Sequence, residues 1–366
     1  MKHIVSLKDI LQSCHAQFAL QKYQLTPYRI KIKQPWKTAA GTIYYRQGIL
    51  VHITVKIKTS DRIVNIPDIV SATGECAPMP EIGTESQADA QPILTHKLSS
   101  YHNKVIDEHW LDDLEPYPAS CFALEMTLLS IISSIQNKNI AALFNPHYSH
   151  QIKVNTVCGA INNSIIKHIK QAESEGFKCI KIKTGLGRIQ QEAELLLQIL
   201  QQLSESTKIR LDCNKSWSVK QTRWFLNFLH KNSSGYIKQI DSLEEPLAFY
   251  DPLEYSRLQK LSSIHLALDE SIQPTTSFEN YPVPRIVLKP MALGGLIKTW
   301  NIALKAQDAG LEVVLTSSIE TGYGLWFVSF LSAALNNNQY HGLATAQWLE
   351  DTLIEAPKIQ HGTITI

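Results

Sequence analysis

The stretch KCIKIKTGLGRIQQEAELLLQILQQLSESTKIRLD (178–212) decides the fold. It opens on KCIKIK (178–183), whose alternation suits a strand. Ala193, Leu196, Leu197, Leu200 and Leu203 then recur at helical spacing. KIRLD (208–212) follows as a second strand. The same alternation runs on in both directions. Further strand-like runs are VNTVCG (154–159), YIKQIDSLE (236–244), HLALDE (265–270), RIVLKP (285–290) and EVVLTS (312–317). Helical runs lie between most of them. Ile161, Ile165, Ile169 and Ala172 mark one, stopped by Gly176; Trp224, Phe225 and Phe228 mark another, and Ile297, Ile302, Ala303 and Ala306 a third. Runs separated by crossovers predict a parallel α/β sheet. Closing such a sheet into a barrel removes its edges. About 190 residues serve here, against ~250 for a typical eight-unit barrel. The expectation is a compact barrel with a degenerate eighth unit around 339–346.

The chain reads differently before residue 150. YRIKIKQ (28–34) and GILVHITVKIK (48–58) alternate as strands. GTIYYRQG (41–48) has glycine at both ends and reads as a mobile loop. VSATGECAPMPEIGT (70–84), rich in Gly and Pro, reads as loop too. Helical stretches follow at 85–100 and 119–137; in the second, Phe122, Met126, Leu129 and Ile132 recur at spacings of three and four. Strands first and helices after describe a small α+β unit.

Composition narrows the function. The 366 residues allow two or three domains. Apolar residues make up 44% and the net charge is +2, from 35 basic and 33 acidic side chains. That balance offers no electrostatic case for nucleic acid or an anionic membrane as partner. No run approaches 18 consecutive apolar residues, so no membrane span is expected. The opening MKHIVSLKDILQSCHAQFAL lacks a continuous apolar core and a cleavage site, so no secretory signal is expected; Asp9 and the lack of Arg argue against a transit segment. Cys14, Cys76, Cys121, Cys158, Cys179 and Cys213 form no C-x-x-C pair and read as buried thiols, which fits a reducing cytoplasm. Nothing sets an oligomeric state, and a monomer is compatible with the composition.

Active sites of such barrels form where the strands end. The last polar residues of successive runs are Lys181 and Lys183, Asp212 and Asn214, Glu244 and Glu245, Asp269 and Glu270, Lys289, then Ser317, Ser318 and Glu320. A single strand-end acid is often a helix N-cap; the order of the whole series carries the argument. Three acids from three successive strands would converge, repel one another and need a cation. An all-carboxylate set suits Mg²⁺, with Mn²⁺ as second choice; no His or Cys joins it, which disfavours zinc. Such an ion leaves coordination for water or a substrate carboxylate, whose α-proton becomes easier to remove. Lys181 and Lys183, two apart on one strand, share a face. Each disfavours the other's charge, which supplies a base. Lys289 would approach from the other side. Parity places Arg210 on the Asp212 face but deeper, where it requires a buried partner.

KIKTG (181–185), RLDCNKSW (210–217), LEEPL (243–247), LALDES (266–271), VLKP (287–290) and TSSIETGYG (316–324) resemble the enolase superfamily in order and spacing over essentially the whole chain. Lysine bases with Mg²⁺ are that superfamily's known pairing. SSIE (317–320), GECAPMPEIGTES (74–86) and HGLATAQWLE (341–350) are most similar to its o-succinylbenzoate synthase family, in a cyanobacterial or plastid-like version. The resemblance implies a modified (β/α)₇β TIM-like barrel over 151–344. An α+β capping domain over 1–150 would be completed by the tail, about 345–366. It implies a Mg²⁺-dependent syn-dehydration of a small cyclohexadiene carboxylate in menaquinone or phylloquinone synthesis. Asp212, Glu244 and Asp269 would ligate the metal, Glu244 being preferred to Glu245 as the first Glu of Glu-Glu-Pro. Lys183 would act as base and then acid, and Lys289 would stay a cation on the opposite face. Lys181 would hold the substrate carboxylate, Asn214 would be a nearby polar contact, and Ser317 and Ser318 would bind the succinyl end. Segments 41–48 and 83–85 would close over the site. Two departures stand out. Related sequences often carry Gly-Leu-Asp-Thr where this chain has Gly342-Leu343-Ala344-Thr345, and 60–73 looks like an insertion. The same lysines, as opposed bases, would also serve a dipeptide epimerase or N-acylamino-acid racemase.

Overall fold

The computed structural model describes residues 2–38, 41–58, 67–233, 235–273 and 277–366. The N-terminal part consists of α1 (Leu7–Ser13), β1 (Gln17–Thr38), β2 (Gly41–Lys58), β3 (Ile69–Cys76), α2 (Gln87–Tyr101), α3 (Pro118–Gln136) and α4 (Ile140–Phe144). β1, β2 and β3 form an antiparallel sheet in that order. α3 is enclosed on nearly all sides, although its length and hydropathy would also suit a membrane span.

Two segments expected as loops are strands. Residues 41–48 belong to β2: Tyr28 pairs with Gly48, Lys31 with Tyr45 and Thr38 with Gly41. Thr42, Ile43, Tyr44 and Tyr45 between the glycines are β-branched or aromatic, the types that favour a pleated surface. Much of 70–84 is β3, with Val70 and Ala72 buried in alternation. Gly74 serves close packing there, because a Cβ would collide with the Ala123 carbonyl of α3. Residues 60–66 of the expected insertion lie outside the described residues, and 69–73 belong to β3.

β4 (Gln151–Lys153) precedes seven parallel strands. These are β5 (Thr156–Ala160), β6 (Cys179–Lys183), β7 (Lys208–Asp212), β8 (Ile240–Glu244), β9 (His265–Leu268), β10 (Arg285–Leu288) and β11 (Glu312–Leu315), side by side in chain order. α5 (Ile165–Ser174), α6 (Ile189–Leu200), α7 (Val219–Asn232), α8 (Pro252–Gln259), the short α9 (Pro290–Leu293), α10 (Leu296–Asp308) and α11 (Gly322–Leu335) follow their strands. The fold is thus a TIM-like α/β barrel with a capping layer. The expected run 236–244 splits into a 3₁₀ turn, Tyr236–Gln239, and β8. The eighth unit shrinks to a bridge: His341 pairs with Val154 and Gly342 with Thr316, both parallel. The His341 ring completes it by accepting from the Leu315 N–H at 3.0 Å; burial pushes its pKa down to about 3, which keeps it neutral. The tail then joins two places. Leu349 bridges to Ile32 of β1, while β12 (Ile359–Gln360) and β13 (Thr363–Thr365) pair with each other and β13 with β4.

Two carboxylates from the N-terminal part plug the N-termini of barrel helices. Glu75 of β3 accepts from Thr321 N, Thr321 Oγ1 and Gly324 N at the start of α11. Glu125 of α3 accepts from Leu296 N and Ile297 N of α10, in the space left by Gly295 (φ 127°). Burial pushes the Glu125 pKa up to about 8. Glu125→Ala would leave both amides buried without partners. It is expected to cost about 1–3 kcal/mol, read as a lower urea midpoint at unchanged slope.

Candidate active site

The register of three adjacent strands sets the site. Lys183 pairs with Asp212, and Asp212 with Glu244, so the three end β6, β7 and β8 in one row. Asp269 lies just past β9 and Lys289 just past β10. All nine expected residues line one cavity of about 280 Å³: Lys181, Lys183, Asp212, Asn214, Glu244, Asp269, Lys289, Ser317 and Ser318.

Their charges interlock. Lys181 Nζ lies 2.8 Å from both Asp212 Oδ2 and Glu244 Oε1. Burial works against its ammonium, but Asp212, Glu244 and Asp269 outweigh it and hold the pKa above the ordinary lysine value. Lys289 pairs with Asp269 and lies 3.6 Å from Glu270. Burial opposes its charge too, and the two acids again prevail. Lys183 moves the other way: burial lowers its pKa, against the pull of Asp212. Asp212 is held low by Lys181 despite its burial. Its Oδ1 also accepts from Asn214 N at 3.0 Å, while Asn214 itself sits exposed at the mouth.

Among the described residues, no three carboxylates already form a metal-ready cluster. Ammonium groups stand among them instead. That Lys181 sits between Asp212 and Glu244 shows that this position accepts a cation. The donors are all oxygen, so the set fits Mg²⁺.

The two neighbouring glutamates separate clearly. Glu244 faces the cavity. Glu245, in left-handed backbone (φ 43°), turns away and accepts from Asp269 N, Ser271 N and Ser271 Oγ, each at 2.8 Å. It thereby fixes the loop that carries Asp269. Arg210 also finds its partner. Nε and Nη2 donate to Asp241 at 3.1 and 2.9 Å, and Nη1 donates to Asn155 Oδ1 and the Tyr340 carbonyl. Asp241 reaches it because β8 carries an irregularity: Ile209 pairs with Ile240 but Arg210 pairs with Ser242. Arg285 shares the same carboxylate.

Ser317 Oγ lies 2.5 Å from Thr345 Oγ1, and Ser318 Oγ is buried with no hydrogen-bond partner among the described residues. Met79, Ile82, Asn155, Arg210, Ile319 and Thr345 join the wall without having been singled out for the site. Residues 41–48 and 83–85 are not among the lining residues; the capping wall is Met79, Glu81 and Ile82. Thr84 and Glu85 act behind it: Thr84 Oγ1 accepts from Met79 N, and Glu85 caps α3 through Ala119 N and Ser120 N.

This barrel and its row of strand-end residues define a class. The chain belongs to the Enolase C-terminal domain-like family, whose sequence profile matches residues 164–366. Its relatives include an o-succinylbenzoate synthase of Aliivibrio fischeri (strain ATCC 700601 / ES114), 28% identical over 77% of this chain and 81% of that protein. An L-Ala-D/L-Glu epimerase of Francisella tularensis subsp. novicida is 24% identical over 66% of this chain and 67% of its own length. In fold, the chain matches a dipeptide epimerase from Enterococcus faecalis V583 complexed with Mg and the dipeptide L-Leu-L-Tyr. The TM-score is 0.80, with 20% identity over 95% of this chain and 97% of that one.

Proposed function

We propose that the chain is an o-succinylbenzoate synthase. It would convert 2-succinyl-6-hydroxy-2,4-cyclohexadiene-1-carboxylate to 2-succinylbenzoate by syn-dehydration, in menaquinone or phylloquinone synthesis. The observation that carries this reading is the row Lys183–Asp212–Glu244 with Lys289 beyond it, in a cavity whose far rim is hydroxyl-rich. Asp212, Glu244 and Asp269 would hold Mg²⁺, which when bound supplies positive charge beside the substrate carboxylate and eases loss of the adjacent proton. Lys183 takes that proton and returns it to the departing hydroxyl on the same face, so that water leaves and the ring becomes aromatic. Lys181 orients the substrate carboxylate. Lys289 remains an ammonium ion opposite Lys183, and the negative charge that develops between them is stabilised. Asn214 offers a polar contact at the mouth, and Ser317 and Ser318 receive the succinyl end. Six free thiols, five of them buried, suit a reducing compartment, and we place the reaction in the cytoplasm.

The dipeptide epimerase reading has the Francisella relative in its favour. Lys183 and Lys289 would then work as opposed bases; the same holds for an N-acylamino-acid racemase. Against a dipeptide stands the rim after β11, where Thr316, Ser317, Ser318, Gly342, Ala344 and Thr345 offer hydroxyls; the further carboxylates of the lining, Glu81 and Glu270, come from the capping segment and the turn after β9. The deciding experiment supplies the cyclohexadiene carboxylate with Mg²⁺ and follows the aromatic product in the ultraviolet, with L-Ala-D/L-Glu in parallel. Product from the first and none from the second is expected; the reverse overturns the proposal. Lys289→Arg in D₂O adds a mechanistic check. A dehydratase should lose rate through altered electrostatics alone. An epimerase should lose α-proton exchange from one stereoisomer only.

A further inference from the structure

Ile319 holds left-handed backbone (φ 60°), a strained conformation for a β-branched residue. It lies just beyond β11, in the wall of the cavity, next to Ser318. Strain of this kind persists only where surrounding groups over-determine it. Here the determinant is Arg46 of β2, which is 3% exposed. Arg46 Nε donates to the Ile319 carbonyl at 3.0 Å. Nη1 donates to the Pro78 carbonyl at 2.6 Å, and Nη2 donates to the Ala77 carbonyl. Among the described residues no salt bridge engages this guanidinium, so its donors go to main-chain carbonyls and, more weakly, to the Met291 sulfur at 3.7 Å. They bind two walls of one cavity together: the loop leading to Met79 and the turn after β11. Within that turn, Ile319 N donates to Ser317 Oγ, Ser318 N donates to Glu320 Oε2 at 2.7 Å, and Ser318 Oγ is left buried without a partner among the described residues.

We propose that Arg46 is a positioning residue that decides substrate fit: it holds the Ile319 turn in its strained form and so presents Ser317 and Ser318 to the end of the substrate remote from the reacting carbon. On the reading above, that end is the succinyl carboxylate. The effect of Arg46 on the turn does not depend on that reading.

The test is a double-mutant cycle on the full chain: Arg46→Lys, Ile319→Gly and both together. Glycine adopts left-handed backbone without strain, so it removes the need for the clamp. Arg46→Lys is expected to raise KM by about tenfold with kcat changed less than about threefold. In the Ile319→Gly background the same substitution should raise KM less than about threefold. Amide exchange should accelerate within 316–324 in Arg46→Lys and remain native in the other barrel strands. Equal KM effects in both backgrounds, or unchanged exchange over 316–324, overturns the proposal. If the native chain performs no dehydration, the function is wrong and the exchange experiment still decides the role of Arg46. If Arg46→Lys is too unstable to assay, melting temperatures replace KM in the cycle. Recovery in the double variant then supports the clamp, and no recovery overturns it.

Discussion

Lys183→Ala is expected to lower kcat by about 10²–10⁴, the usual share of a positioned acid–base group. The placement of the side chain is the reason. Lys183 ends β6 in register with Asp212 and lines the same cavity as Lys289. Lys181, the other lysine of β6 in the cavity, is held by Asp212 and Glu244. Arginine keeps the charge but does not give up its proton at ordinary pH. Lys183→Arg should therefore be nearly as inactive as Lys183→Ala, which separates proton transfer from simple positive charge. Both variants should retain native circular dichroism, since Lys183 is half-buried at a strand end. Turnover within a few-fold of native in either variant removes Lys183 from the mechanism.

Chelation with EDTA is expected to reduce turnover to background, with recovery on adding Mg²⁺. A second readout is independent of activity. A ligand that binds only the folded chain stabilises it by about 2.7 kcal/mol at one hundred times its dissociation constant. Saturating Mg²⁺ should therefore raise the melting temperature by several degrees, and Asp212→Asn or Glu244→Gln should shrink that rise. The carboxylates favour this outcome, because each sits in a buried site where Lys181 and Lys289 are its ion-pair partners among the described residues. Full activity after exhaustive chelation would leave the three acids as structural ion-pair partners only.

The strand ends were legible because each barrel unit is short and regular. β7 matches KIRLD residue for residue, and Lys183, Asp212, Glu244, Asp269, Lys289 and Ser317, which close successive runs, all line the cavity. The choice between Glu244 and Glu245 was not readable from alternation, since Glu245 leaves the strand in left-handed backbone. Nor was the partner of Arg210, because an irregularity in β8 breaks the parity that pairing rules assume. In the N-terminal part, glycine misled the reading. At 41–48 it flanks a paired strand, and at Gly74 it admits a helix rather than making a turn. Met79 and Ile82 reach the cavity from a single 3₁₀ turn and its cap, and Ile319 from a loop, where no periodicity marks them.

The bridge at His341 and Gly342 leaves the cylinder with a seam. Elsewhere neighbouring strands are laced by two or more rungs, but here each side is joined at a single paired position, helped by one imidazole. Breathing of the cylinder should begin along this line, since the fewest contacts need to be broken together there. Ala344 and Thr345 sit directly beside it. The hydroxyl-bearing wall of the cavity is therefore also the part of the cylinder held by the fewest paired positions, while the strands that carry Lys183, Asp212 and Glu244 are joined by longer ladders.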